Sequence, residues 1–310
     1  MSKSNAARLF RINSLAAILG LAGCFCSMGV ALSSEGFLEH GRYIFYAAGC
    51  VSCHTHDKLM AGGRPLVTPF GTFYPPNITP EMEYGIGAWT EKDFVRALRE
   101  GLNPKGEHYY PAFPYPSYTR MTQKDMQALY AYLMTLPASS MENRQHNLYW
   151  PFSSRPMIAH WKAGRFTVGE FSANPEKSPQ WNRGAYLANA LGHCGECHTP
   201  RDYLGAPRRN RYLAGTCAGP DGRLVPNITP DRETGIGDWT SDELITFLMT
   251  GRKPDGGYAG SLMAEVLGTS CMQLTRHDLH SLASYLQSLP PIHNDLDALC
   301  APFDDSFIYE

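Results

Sequence analysis

Two pentapeptides, Cys50-Val51-Ser52-Cys53-His54 and Cys194-Gly195-Glu196-Cys197-His198, share the spacing C-x-x-C-H. On a helical turn, cysteines three apart lie on one face, so each sulfur can form a thioether to one vinyl group of the same haem. The adjacent histidine then offers its imidazole to the iron as proximal ligand. The two pairs stand 144 positions apart, whereas a zinc ribbon places its pairs about 15–20 residues apart. Residues 35–49 read as a helix, not as the strand that precedes a thioredoxin-like dithiol. The chemistry indicated is two covalently bound haem c groups, held by Cys50, Cys53, Cys194 and Cys197, with His54 and His198 on the irons.

The elements that must position these residues occur twice. His40-Gly41-Arg42-Tyr43 matches Arg183-Gly184-Ala185-Tyr186 at an offset of 143, and the cysteines match at 144. Pro76-Asn77-Ile78-Thr79-Pro80 and Gly85-Ile86-Gly87-Ala88-Trp89-Thr90 recur at 150, and Thr122 to Pro137 recurs as Thr275 to Pro290 at 153. Five blocks in one order mean two copies of one domain. Within each copy Thr90 or Thr240 reads as the N-cap of a helix closed by Gly101 or Gly251. A last helix starts at Thr122 or Thr275, with Asp125 or Asp278 at its third position, and ends before a proline. Its apolar residues Met126, Leu129, Tyr130 and Leu133, and their counterparts Leu279, Leu282, Ala283 and Leu286, fall at helical spacing. No alternating strand pattern of useful length appears. The fold class expected is all-α.

The 310 residues carry 43% hydrophobic and 18% charged side chains and a net charge of −2. That length suits two domains, and that charge gives no basic field for a nucleic-acid partner. Lys3, Arg8 and Arg11 precede the apolar run Leu15 to Gly23, the pattern of an export leader. Two processing readings stand: cleavage after Ala31, or cleavage before Cys24 at Leu21-Ala22-Gly23-Cys24, which resembles a bacterial lipobox. An uncleaved anchor is the third, because Leu15 to Ala31 just reaches the shortest spanning length. Loss of residues 1–31 removes three cations and no acid, leaving a net charge of −5.

From Gly41 to Pro291 the chain resembles the dihaem members of the cytochrome c family, especially the cytochrome c subunits of periplasmic dehydrogenases for alcohols, aldehydes and sugars. The resemblance implies two tandem class I cytochrome c domains related by internal duplication, with first and last helices crossing near Gly41/Tyr43 and Gly184/Tyr186. The boundaries expected are a leader over 1–31, domains over 35–137 and 181–292, an aromatic-rich connection over 138–180 and an acidic tail over 293–310. Those dehydrogenase subunits usually carry three haem domains, and this chain has two. Met263 matches the family's axial methionine, with Met272 in reserve; a neutral thioether on iron raises the reduction potential. The first domain has Phe113 at the same offset, and its nearest methionine is Met121. Met121 as sixth ligand competes with a hydrophobic staple against Met126 and with His108 as the alternative donor.

A proximal histidine usually donates its other N–H to a backbone carbonyl, and Pro76 and Pro226 are the repeated residues placed to accept. Trp89 and Trp239 line a haem edge or pack in the core. The Asn77 and Asn227 sequons are not read as glycosylation sites, given the bacterial-type leader and the following proline. Of the remaining cysteines, Cys217 and Cys271 are a candidate disulfide, Cys300 lies in the tail, and Cys217 as a thiolate on the second iron would instead make a catalytic centre. The reading that follows is an exported, periplasmic electron carrier, with membrane attachment through the N-terminus if Cys24 is lipidated. A periplasmic dehydrogenase is its expected donor and a downstream cytochrome or terminal oxidase its acceptor. The alternative is a dihaem enzyme such as a thiosulfate dehydrogenase or a peroxidase.

Overall fold

The computed structural model describes residues 35–300, so the expected leader, with Cys24 and Cys26, and the acidic tail beyond Cys300 lie outside the described residues. Helix α1 (residues 35–47) leads into α2 (Cys50–His54), followed by strands β1 (Leu66–Thr68) and β2 (Gly71–Phe73) and helices α3 (Glu91–Glu100), α4 (Tyr115–Tyr118) and α5 (Gln123–Leu133). The connection contributes β3 (Asn147–Leu148) and α6 (Arg155–Arg165). Then come α7 (Pro179–Tyr186), continued by a π-helical turn over Leu187–Leu191, α8 (Gly195–His198), α9 (Ser241–Thr250), α10 (Ser261–Thr269), α11 (Arg276–Gln287) and α12 (Leu296–Cys300). None of the described helices is long and apolar enough to cross a membrane.

Local sequence accounts for the helix ends. Thr90 Oγ1 accepts from Asp93 N at 3.2 Å while the Asp93 carboxylate accepts from Thr90 N at 3.0 Å, and Thr240 with Glu243 repeats this capping box at 3.2 and 2.8 Å. Gly101 and Gly251 close α3 and α9 with φ of 62° and 73°, a left-handed conformation that glycine enters at little cost. Thr122 and Thr275 cap α5 and α11 through the backbone N–H of Asp125 and Asp278.

Packing then follows from two glycines. A Cβ on Gly41 would lie 2.1 Å from the Ala128 carbonyl oxygen, and one on Gly184 would lie 2.0 Å from that of Ser281. Only glycine therefore lets α1 cross α5 and α7 cross α11 at backbone contact. Around these crossings Ile44, Phe45, Leu129 and Leu133, and likewise Leu187, Leu191, Leu282 and Leu286, form the buried core.

The halves exchange hydrogen bonds reciprocally. Tyr43 Oη, on α1, donates to Asp278 on α11, and Tyr186 Oη, on α7, donates to Asp125 on α5. Asp278 also takes a bidentate contact from Arg183 at 2.8 and 2.6 Å, whereas Asp125 meets His40 Nε2 at 2.6 Å. Burial alone would raise the Asp278 pKa, but the Arg183 guanidinium and the Tyr43 hydroxyl outweigh it and hold the carboxyl below its ordinary value. Arg64 grips Glu265 with both guanidinium nitrogens, adding a third tie between the halves.

The connection is ordered and bridges both halves. β1, β2 and β3 form a small antiparallel sheet in that order, with Leu66 opposite Phe73 and Gly71 opposite Leu148. These strands depart from the all-α expectation; at two or three residues each they are too short to show alternation in sequence. Phe152 stacks on Phe70 at 4.7 Å, Phe166 on Tyr115 at 5.0 Å and Phe171 on Tyr186 at 5.6 Å. Lys162, on α6, is buried and donates to the carbonyls of Glu100 and Gly101, placing a cation at the negative end of α3. Burial lowers its pKa to about 8.

Candidate functional site

Gly49 and the turn before it deliver the first motif. Gly49 has φ 65° and redirects the chain from α1 into α2, whose single turn sets Cys50 and Cys53 on one face and His54 at its end. His54 Nδ1 lies 2.7 Å from the Pro76 carbonyl oxygen, and His198 Nδ1 lies 2.8 Å from that of Pro226. A carbonyl only accepts, so in both rings Nδ1 carries the proton and Nε2 keeps the lone pair that a metal needs. The two prolines singled out by the repeat are thus the ones that orient the imidazoles.

The loops presenting those prolines are built alike. Gly62 N donates to His54 O at 2.8 Å and Gly215 N to His198 O at 2.7 Å; a Cβ on either glycine would meet the proline segment within 2.7 Å. Asn77 and Asn227 are buried, each accepting from the backbone and hydroxyl of the threonine two residues on. Asn77 donates in turn to the carbonyls of Ser139 and Met141, and Asn227 to that of Ile292. Enclosure of both asparagines rules out the sequon reading.

A cavity of about 1430 Å³ opens over the first motif and reaches Cys197 of the second; it is larger than the roughly 300–1,000 Å³ of ordinary ligand pockets. Cys50, Cys53 and His54 line one side; Ile78, Ile86, Trp89 and Leu98 line another; and residues 109–114 with Tyr118 close the far wall. Arg64, Arg144, Arg155 and Arg165 also line it, supplying positive charge beside an apolar slot. These residues fit a flat, apolar, carboxylate-bearing group such as haem. Burial pushes the thiols of Cys50, Cys194 and Cys197 up to about 12, so they stand as neutral thiols, unlike the depressed thiols of a redox-active dithiol. Burial also lowers His54 to about 4 and lowers His198, leaving both imidazoles neutral. Among the described residues no three His, Cys, Asp or Glu side chains converge on a common ion position.

The sixth-ligand candidates are placed differently. Met263 is half-buried on α10; its neighbours Leu262 and Val266 line the cavity, but Met263 itself is outside that lining. Met121 is 0% exposed, in the same core as Met126 and outside the cavity lining, whereas Phe113 belongs to that lining. His108 also lies outside the lining; its Nδ1 is buried without a hydrogen-bond partner and its carbonyl accepts from Arg155 at 2.9 Å. Met272 is exposed. Trp89 lines the cavity, while Trp239 packs on Phe247 at 5.4 Å.

Two readings of the cysteines need correction. Cys217 bonds to Cys300, with sulfurs 2.06 Å apart, and not to Cys271, which is a free thiol half-buried against the second half's core. The chain fold brings α12 beside the loop carrying Cys217, a proximity that 83 positions of sequence conceal. With Cys217 engaged, its thiolate is not available to an iron, and the catalytic-centre reading loses its ligand.

Residues missed in sequence connect the motifs to the opposite half. Ser117 Oγ donates to Glu196 Oε1 at 2.9 Å, Ser52 Oγ lies 2.7 Å from Thr269 Oγ1, and His193 lines the cavity beside Tyr118.

Comparison with known proteins agrees with this geometry. The cytochrome c family model matches residues 38–137. The chain is 39% identical over 295 residues to a diheme cytochrome c-type protein of Cereibacter sphaeroides, covering 90% of this chain and 96% of that one. It is 41% identical to a nicotinate dehydrogenase subunit of Pseudomonas putida and 37% identical to the cytochrome c subunit of a quinone alcohol dehydrogenase of Gluconobacter oxydans. Each alignment covers 90% of this chain, which spans 24% of the former protein and 60% of the latter. With two haem-type motifs, two proline-oriented histidines and full-length similarity to a diheme relative, the chain belongs to the cytochrome c family.

Proposed function

We propose that this protein is an exported two-haem electron carrier that accepts electrons from a periplasmic dehydrogenase and passes them to a downstream cytochrome or terminal oxidase. Residues 35–137 and 181–292 are read as tandem class I cytochrome c domains, with 138–180 as an ordered connection. The observation that carries this reading is the pair of imidazole–proline contacts, at 2.7 and 2.8 Å, one beside each C-x-x-C motif.

When bound, each haem supplies a reversible one-electron iron couple. The chain's own residues do the rest. Cys50 and Cys53, and Cys194 and Cys197, would anchor the groups through thioethers. His54 and His198 would offer Nε2 to the irons, oriented by Pro76 and Pro226. Met263 would be the further ligand in the second domain and Met121 in the first. Apolar walls exclude water, so electron exchange demands little solvent reorganisation.

The similarity to subunits named for nicotinate, quinone alcohol, fructose and gluconate dehydrogenases supports a dehydrogenase as donor. Retention by Cys24 lipidation belongs to the same proposal. The test is to produce the full chain with haem-maturation machinery, count porphyrins by mass, and mix the ferric protein with such a dehydrogenase and its substrate. Two porphyrins and substrate-dependent reduction of both support the carrier. Fewer than two porphyrins, or steady turnover of thiosulfate or peroxide by the isolated chain, overturns it.

A further inference from the structure

The two halves differ immediately before the second motif. Between Tyr186 and Cys194 the chain has one residue more than between Tyr43 and Cys50. The π-helical turn Leu187–Leu191 lies in that interval and absorbs the extra residue. Downstream of it His193 stands at the position of Gly49, 144 residues earlier. Both have positive φ, 65° for Gly49 and 37° for His193. Glycine takes such a conformation freely, whereas a histidine holds it only when its surroundings impose it.

What the strained position delivers is a ring into the opposite half. The His193 imidazole meets the Tyr118 ring edge-to-face, centroids 5.5 Å apart at 82°. A Cβ on Gly49 would come within 3.7 Å of His193 Nε2. Tyr118 Oη is itself fixed, donating to the Ala48 carbonyl at 2.6 Å. His193 lines the cavity over Cys50, Cys53 and His54 while preceding Cys194 directly in the chain. The neighbouring bonds from Ser117 to Glu196 and between Ser52 and Thr269 join each motif to the other half.

We propose that His193 is a positioning residue that locks the two haem-attachment turns together, fixing the separation and orientation of the two groups and hence the speed of electron exchange between them. The inference rests on the two-haem reading and adds a device to it. No bond is made or broken; His193 acts through the backbone of Gly49–Cys50 on one side and of Cys194 on the other.

Three variants of the full, haem-loaded chain test it. His193→Asn keeps a residue tolerant of the left-handed backbone but removes the ring. Tyr118→Leu removes the stacking partner from the other half, and Tyr118→Phe retains it. Each is first checked for two porphyrins by mass; a wild type with fewer overturns the underlying reading and not this inference alone. Midpoint potentials, the rate at which the two centres re-equilibrate after partial photoreduction, and amide exchange at Ala48–Cys50 are then measured. Expected are a re-equilibration rate lowered severalfold and faster amide exchange in His193→Asn and Tyr118→Leu, with Tyr118→Phe retaining the wild-type rate. Wild-type rates and potentials in both disruptive variants, with two porphyrins bound and only the melting temperature lowered, would assign His193 to packing and overturn the proposal.

Discussion

The N–H of His54 and that of His198 end on proline carbonyls at nearly the same distance, and this pairing was legible in sequence because motif and loop both repeat. The sixth ligands were less legible, because ligation depends on where a sulfur points. Met263 sits beside residues that line the cavity, whereas Met121 is enclosed with Met126. With Met263 as the proposed ligand, replacing it by Leu is expected to lower one midpoint potential and leave the other, because a neutral thioether would be lost from one iron only; a spectroelectrochemical titration reads both. Met121→Ala should abolish the first domain's contribution to the long-wavelength absorption of His/Met ferric haem. Persistence of that contribution together with a lower melting temperature would return Met121 to the core.

Caps and crossings are local codes, and the helices they bound came out as the sequence indicates. Thr90, Thr122, Thr240 and Thr275 cap, Gly101 and Gly251 close, and Gly41 and Gly184 admit a crossing backbone. The sheet was hidden because β1 and β2, paired as a local hairpin, are too short to show alternation, and β3 joins them through a long-range pairing of residues 71–72 with 147–148 that leaves no periodic trace. A methyl group on Gly184 has nowhere to go, so Gly184→Ala should destabilise by about 1–3 kcal/mol. In a calorimetric melt that corresponds to a fall of several degrees, whereas alanine at Gly169, where a Cβ meets nothing within 4 Å, should not lower the transition.

The halves are held together by Tyr43 on Asp278 and Tyr186 on Asp125. All four residues lie in the repeat, yet nothing in the repeat says that the bonds cross from one copy to the other; that is a property of the assembled pair. Losing either hydroxyl leaves a buried carboxylate short of a partner, so Tyr43→Phe or Tyr186→Phe should cost about 1–3 kcal/mol, measurable by denaturant unfolding. Acid acts on the same contact. The folded pKa of Asp278 is depressed, so its contribution is fully present above the unfolded value of about 3.9 and is lost as pH falls through the folded pKa. Unfolding curves of the wild type should therefore weaken below about pH 4, and Asp278→Asn should flatten that part of the profile.

The Cys217–Cys300 bond closes a loop over most of the second half, and Cys300→Ser should cost about 2–4 kcal/mol in the chain-entropy account. A chain that emerges N-terminus first exposes Cys217 long before its mate exists, alongside the four thiols of the C-x-x-C motifs. If the proposed thioethers form, two sulfur chemistries share one chain, and Cys217 competes with the attachment cysteines for any oxidant present before the vinyl additions are complete. An oxidant acting early would capture Cys217 with a thiol meant for a tetrapyrrole, yielding a scrambled, half-coloured product.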